Sequence, residues 1–113
     1  MCNHITHAIR LKPGEDLKQS LRTFVYEKNI QAGWMITCVG SLTEYHIRFA
    51  NQQQASNDKG FFEILSVSGT VSVNGSHLHI CIADATGKTI GVIYQRAALY
   101  IPQQKLLLGK VKS

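Results

Sequence analysis

The stretch FFEILSVSGTVSVNGSHLHICIAD, residues 61–84, decides the fold. Two apolar, β-branched runs are parted by Asn74-Gly75, a dipeptide that supplies the two positive-φ positions of a type I′ turn. The reading is a β-hairpin. In its second arm Leu78, Ile80 and Ile82 alternate with His77, His79 and Cys81, so the strand has an apolar face and an opposite face that carries the histidines and the cysteine.

Working outward, HITHAIRL near the N-terminus alternates as a half-buried strand does, with Ile5, Ile9 and Leu11 on one side. Pro13-Gly14 breaks it. Glu15 and Asp16 then place negative charge where a helix start favours it. Leu17, Leu21, Phe24 and Val25 follow at i, i+4, i+7 and i+8, one stripe of an amphipathic helix ending near Asn29. Trp34, Ile36 and Cys38 predict a second strand stopped at Gly40-Ser41. Tyr45, Ile47 and Phe49 predict a third, facing away from Glu44, His46 and Arg48. The segment NQQQASNDKG, 51–60, reads as a solvated loop. Five or more strands with one main helix predict an α+β sheet domain.

The chain has 113 residues, 44% of them apolar, enough for one domain with an ordinary core. No apolar run approaches the roughly 20 residues of a membrane helix, and the polar start MCNHITH does not resemble a signal peptide. Cys2, Cys38 and Cys81 lack CxxC spacing, which points to a reduced, cytoplasmic setting without a membrane partner. The formal charge of +5 suggests a polyanion partner, yet its distribution argues otherwise. Residues 1–91 hold eight Lys/Arg against seven Asp/Glu; the other four cations, Arg96, Lys105, Lys110 and Lys112, lie beyond, where no acid occurs. The basic residues before Gly91 are scattered and form no recognition helix or minor-groove hook.

Few residue sets carry chemistry. His77 and His79, two apart on a strand, share one side, and their Nε2 atoms can converge on a metal such as Zn²⁺. The spacing alone favours a polar, solvent-facing strand side over a metal site, since two ligands do not hold zinc and nothing local supplies a third. TGKT, 86–89, lacks the first glycine of a phosphate loop and reads as a turn with a solvated lysine. Glu63, inside the apolar FFEIL, belongs on a wet face or in an interface. Cys38 and Cys81 read as small buried hydrophobes. Ser41 and Ser66 lack a nucleophile-elbow motif. No catalytic set emerges.

Three stretches in register, AIRLKPGEDL (8–17), GFFEILSVSGTVS (60–72) and HLHICIADATGKTIG (77–91), resemble the PPC domain, conserved in plants and prokaryotes. The resemblance covers nearly all of residues 4–91. It implies an α+β fold, an antiparallel-rich mixed β-sheet packed against one main helix and further short ones, assembling as a homotrimer, non-catalytic, and associated with DNA or with DNA-binding regulatory proteins. It places the family's interaction motif at Gly60, Phe61, Phe62, Glu63, Ile64 and Leu65. No cofactor is expected in this chain. The alternative the resemblance implies is a zinc-dependent enzyme or small-molecule binder with three histidines. Here that set is incomplete, holding only His77 and His79, with Cys81 or a distant His46 as poor substitutes.

Members of that family usually continue with a Gly-Gly-His-Leu segment and a closing Thr-Ala-Glu strand. This chain reads GVIYQRAALYIPQQKLLLGK instead. Val92 to Gln95 can be written GTC-ATT-TAT-CAG, which in a shifted frame contains codons for His-Leu-Ser. Residues 92–113 are therefore expected to be an altered segment, either out of frame after loss of one base near the Gly91 codon, which the degenerate code permits, or a divergent family ending. Ala97 to Ile101 could still add to a sheet edge, with Pro102 limiting the pairing.

Overall fold

The computed structural model describes residues 3–51, 53, 54, 56–96 and 104–111, with side chains described as far as Gly91, Arg48 excepted. Strand β1 (His4–Leu11) leads through the Pro13-Gly14 turn to helix α1 (Leu17–Glu27). Four strands follow, β2 (Gly33–Arg48), β3 (Ser56–Ser72), β4 (Gly75–Ala83) and β5 (Thr89–Arg96), and then β6 (Gln104–Val111). The order across the sheet is β1-β6-β2-β3-β4-β5, and β5 also pairs with the far end of β2. That last ladder closes β2 to β5 into a ring. Every described ladder is antiparallel, so the mixed sheet expected from sequence is purely antiparallel here. Among the described residues α1 is the one α-helix. The architecture is α+β.

The helix begins where the sequence placed it. The Asp16 carboxylate accepts a hydrogen bond from the Gln19 backbone N–H at 2.8 Å, satisfying one of the orphan donors of the first turn. Leu17, Leu21 and Val25 are buried, and Phe24 packs against the core. Each such side chain contributes about 1.5–3 kcal/mol by leaving water. The ring interior is filled by Leu42, Tyr45, Ile47, Phe62, Ile64, Val67, Ile80 and Ile82. These are the inward positions of period-two strands. No described helix is long and apolar enough to cross a membrane.

Several expected boundaries differ. Gly40 does not end a strand: β2 runs through it as one 16-residue element. Its positive φ of 150° and register shifts at Met35/Thr37 and Leu42/Glu44 bend the strand instead, as bulges do. The first shift leaves Ile36 exposed and Cys38 buried. The polar segment 51–60 is a shorter loop, because Ser56 to Lys59 already pair with β2. The β3–β4 hairpin forms, but its tip is Val73-Asn74, flanked by the Ser72↔Gly75 pair. Positive φ falls on Gly75 and not on Asn74, so the turn is not type I′. Ser72 Oγ stabilises the tip by accepting from the Asn74 N–H and donating to the Gly75 carbonyl, both at 3.1 Å.

Gly91, where the altered segment was expected to begin, lies inside β5. Strand β6 sits between β1 and β2, pairing with both. The expected edge strand at Ala97 to Ile101, with Pro102, falls outside the described residues.

Candidate functional site

Of the residues that the sequence marked for binding, Phe61, Glu63, Leu65, His77 and His79 lie on the outer face of β3 and β4, while Phe62 and Ile64 belong to the core. In β3 the period of two buries Phe62 and Ile64 and turns Phe61, Glu63 and Leu65 outward. Phe61 is 81% exposed, an unusual state for an aromatic that gains so much by leaving water. Leu65 and, on β2, Val39 are each more than half exposed. Between them Ser41 stands opposite Glu63 in the ladder and donates its hydroxyl hydrogen to Glu63 Oε1 at 3.0 Å. Glu63 is thus on the wet face, anchored in position. Gly60 is half-buried at the edge of this motif, and a Cβ there would meet the Phe62 ring at 3.3 Å. Ser41 was passed over in the sequence because its partner lies 22 residues away, visible only once the β2–β3 register is known.

One strand further, β4 carries the histidines. Leu78, Ile80 and Ile82 are buried, and His77 and His79 are exposed on the opposite side. The two Nε2 atoms approach to 3.0 Å, one imidazole donating and the other accepting. Two zinc-bound nitrogens in a tetrahedral shell lie roughly 3.3 Å apart, given Zn–N bonds of about 2.0–2.1 Å. The pair is therefore close to chelating geometry. Among the described residues no third His, Cys, Asp or Glu joins it. Cys81 is half-buried further along the strand. His46 is engaged with Glu44, Nε2 to Oε1 at 3.6 Å. Register places position 93 of β5 directly opposite His79.

Two other groups have environments that define their chemistry. Burial pushes the Cys38 thiol up to about 12, so it stays protonated and unreactive. Asp84 shapes the β4–β5 turn. Its Oδ1 accepts from the Thr86 hydroxyl at 2.6 Å and from the backbone N–H groups of Thr86 and Lys88. These bonds, the Thr86 hydroxyl first, hold its carboxyl below the usual carboxylate range. TGKT is thus a turn, with Lys88 exposed.

Comparison with known proteins agrees with this architecture. A hypothetical protein from Salmonella cholerae-suis superposes with a TM-score of 0.95 at 30% identity, over 98% of this chain and 80% of that one. A metal-containing protein from Archaeoglobus fulgidus shares the fold with a TM-score of 0.79 at 22% identity, over 96% and 81% of the two chains. So does a protein from Bacteroides thetaiotaomicron described provisionally as DNA-binding, with a TM-score of 0.81 at 18% identity, over 100% and 85%. The bifunctional protein GlmU of a Synechococcus strain is 41% identical over 85 residues. That match takes in 75% of this chain but spans only 14% of the relative's length. The Plants and Prokaryotes Conserved (PCC) domain matches residues 3–108, which includes most of β6. With an antiparallel ring, one capping helix and the FFEIL and HLH strands in their places, the chain belongs to the PCC domain family.

Proposed function

We propose that this chain is a non-catalytic, oligomeric binding module that assembles as a homotrimer and engages DNA or DNA-binding regulatory proteins. The observation that carries the proposal is the apolar strip of Phe61, Leu65 and Val39 on the outer sheet face. Exposed apolar patches centred on an aromatic are how protein interfaces are anchored. The Ser41–Glu63 bond supplies a fixed polar centre within it. DNA enters by likeness of fold to the Bacteroides protein. A cytoplasmic setting is supported by Cys38 and Cys81, both free thiols.

Light scattering on the purified chain tests the assembly. The expected mass is three protomers, falling to one for Phe61→Ser with an unchanged circular dichroism spectrum. A monomeric parent refutes the trimer. Titration with duplex DNA at low salt tests the partner, with an affinity expected to fall steeply as salt rises. No binding to any duplex removes DNA and leaves protein partners.

The His77–His79 approach favours a second reading, a metal centre completed by a third ligand. Among the described residues the pair stands alone, and two histidines hold a metal weakly. Metal analysis after zinc dialysis tests this: stoichiometric zinc in the parent chain overturns the incomplete-site reading.

A further inference from the structure

Apart from the Phe61 strip, α1 and the β3–β4 hairpin enclose an open groove of about 810 Å³. Its volume is that of a small-molecule site. Leu21 and Val25 of the helix and Val71 of β3 form a buried apolar floor. Arg22 and Tyr26 rise from the helix, one turn apart, with the guanidinium carbon 5.9 Å from the ring centroid. The guanidinium stands over the ring, and Tyr26 remains 55% exposed. Across the groove the hairpin tip brings Asn74 and Ser76.

The charge in the groove is unequal. Lys18 and Arg22 line it against a single carboxylate, Asp16, whose Oδ1 is occupied in capping the helix. Glu44, the acid paired with His46, does not line it. An exposed aromatic ring with a guanidinium over it, apolar residues beneath and the polar residues Asn74 and Ser76 at the lip together suit one ligand class. We infer that this groove binds a planar organic anion, an aromatic or heteroaromatic ring carrying a phosphate or carboxylate. The ring lies over Tyr26 and the apolar floor. The anion takes two parallel bonds from Arg22, the geometry that guanidinium offers to such groups. Asn74 and Ser76 of the lip complete its shell. This goes beyond the trimeric binding module and uses a separate surface.

The test is amide NMR on the full chain with four probes: adenosine monophosphate and 4-hydroxybenzoate, each ring and charge together; adenosine, ring alone; inorganic phosphate, charge alone. The expected result is saturable shifts at Gln19, Arg22, Tyr26, Asn74 and Ser76 with at least one ring-bearing anion. Adenosine and phosphate should bind at least about tenfold more weakly, the loss of one charge-assisted contact or one stacked face. Arg22→Gln should reduce anion affinity by a similar factor while leaving adenosine unchanged, and Tyr26→Leu should reduce both. Neither ring-bearing anion binding, shifts confined to the Val39–Phe61–Leu65 face, or an Arg22→Gln chain binding the anion as tightly as the parent overturns the inference. A chain that trimerises but binds none of the probes refutes the groove and leaves the module intact.

Discussion

Substituting Gly69 by alanine should unfold the β3–β4 ladder locally, and the reason can be isolated from ordinary glycine effects. Gly69 has φ of 135°, and a Cβ built there lies 2.0 Å from the His77 carbonyl oxygen and 3.0 Å from the Leu78 Cα. Both neighbours are backbone of the facing strand, since Gly69 pairs with Leu78. No side chain can swing aside. Non-bonded heavy atoms settle at about 3.5–4.0 Å, so the strands must part by an ångström or more. Gly75 provides the control: its φ is 137°, nearly the same, but nothing lies within 4 Å of its Cβ. Gly75→Ala therefore carries backbone strain alone, about 1–3 kcal/mol. Gly69→Ala carries that strain plus at least one disrupted ladder bond at about 1 kcal/mol and lost packing around Leu78, for a total of about 3–5 kcal/mol. Urea unfolding of both variants, analysed by linear extrapolation, gives the comparison. The expected excess for Gly69→Ala is about 2 kcal/mol. Equal losses would refute the collision argument. The same variant should also displace His77 from His79.

Further outcomes follow from the site. Ile93→His puts an imidazole at the register position opposite His79. Structural zinc sites gain about 10–16 kcal/mol from four ligands, so a third should tighten zinc binding by roughly 10²-fold or more over the parent, measured by competition with a chromophoric chelator. An unchanged affinity would exclude position 93 as a ligand site. For Asp84, the folded carboxyl titrates below its unfolded value, so its contribution to stability is present above about pH 3.9 and is lost as pH falls through the lower, folded value. Asp84→Asn should therefore lower stability at neutral pH and flatten the acid limb of the stability curve; an unaltered limb counts against the turn's role. Cys38, held neutral by burial, should label with a thiol reagent only as fast as the protein unfolds, while Cys81 labels sooner in peptide maps. Resequencing the gene with one base restored near the Gly91 codon should yield the Gly-His-Leu and Thr-Ala-Glu ending; a reading that yields neither ends the frame-loss proposal.

Local periodicity carried much of the fold. The stripe Leu17, Leu21, Val25 and the alternation of HLHICIAD could be read directly, because burial imposes periods of 3.6 and 2 on adjacent residues. What escaped depends on partners distant in the chain. Gly40 looked like a stop, but the neighbouring strands β3 and β6 hold β2 extended through it. Ser56 to Lys59 looked like loop because their polar side chains hide a backbone that pairs with β2. The closure of β5 onto β2 has no local signature at all. The site divided the same way: the outward face of FFEIL and the paired histidines were legible, whereas Ser41 beside Glu63 was not. The hairpin tip moved by one residue because Ser72 Oγ satisfies the Asn74 N–H, leaving positive φ to Gly75 alone.

Strand β1 is attached to the sheet through β6, with His4 opposite Val111. Of these two strands β1 leaves the ribosome first, and it must wait for β6 before it acquires this neighbour. During synthesis its N–H and C=O groups stay exposed to water and to other nascent chains. The entropy of closing a loop grows with its length, and contacts this distant in sequence form slowly.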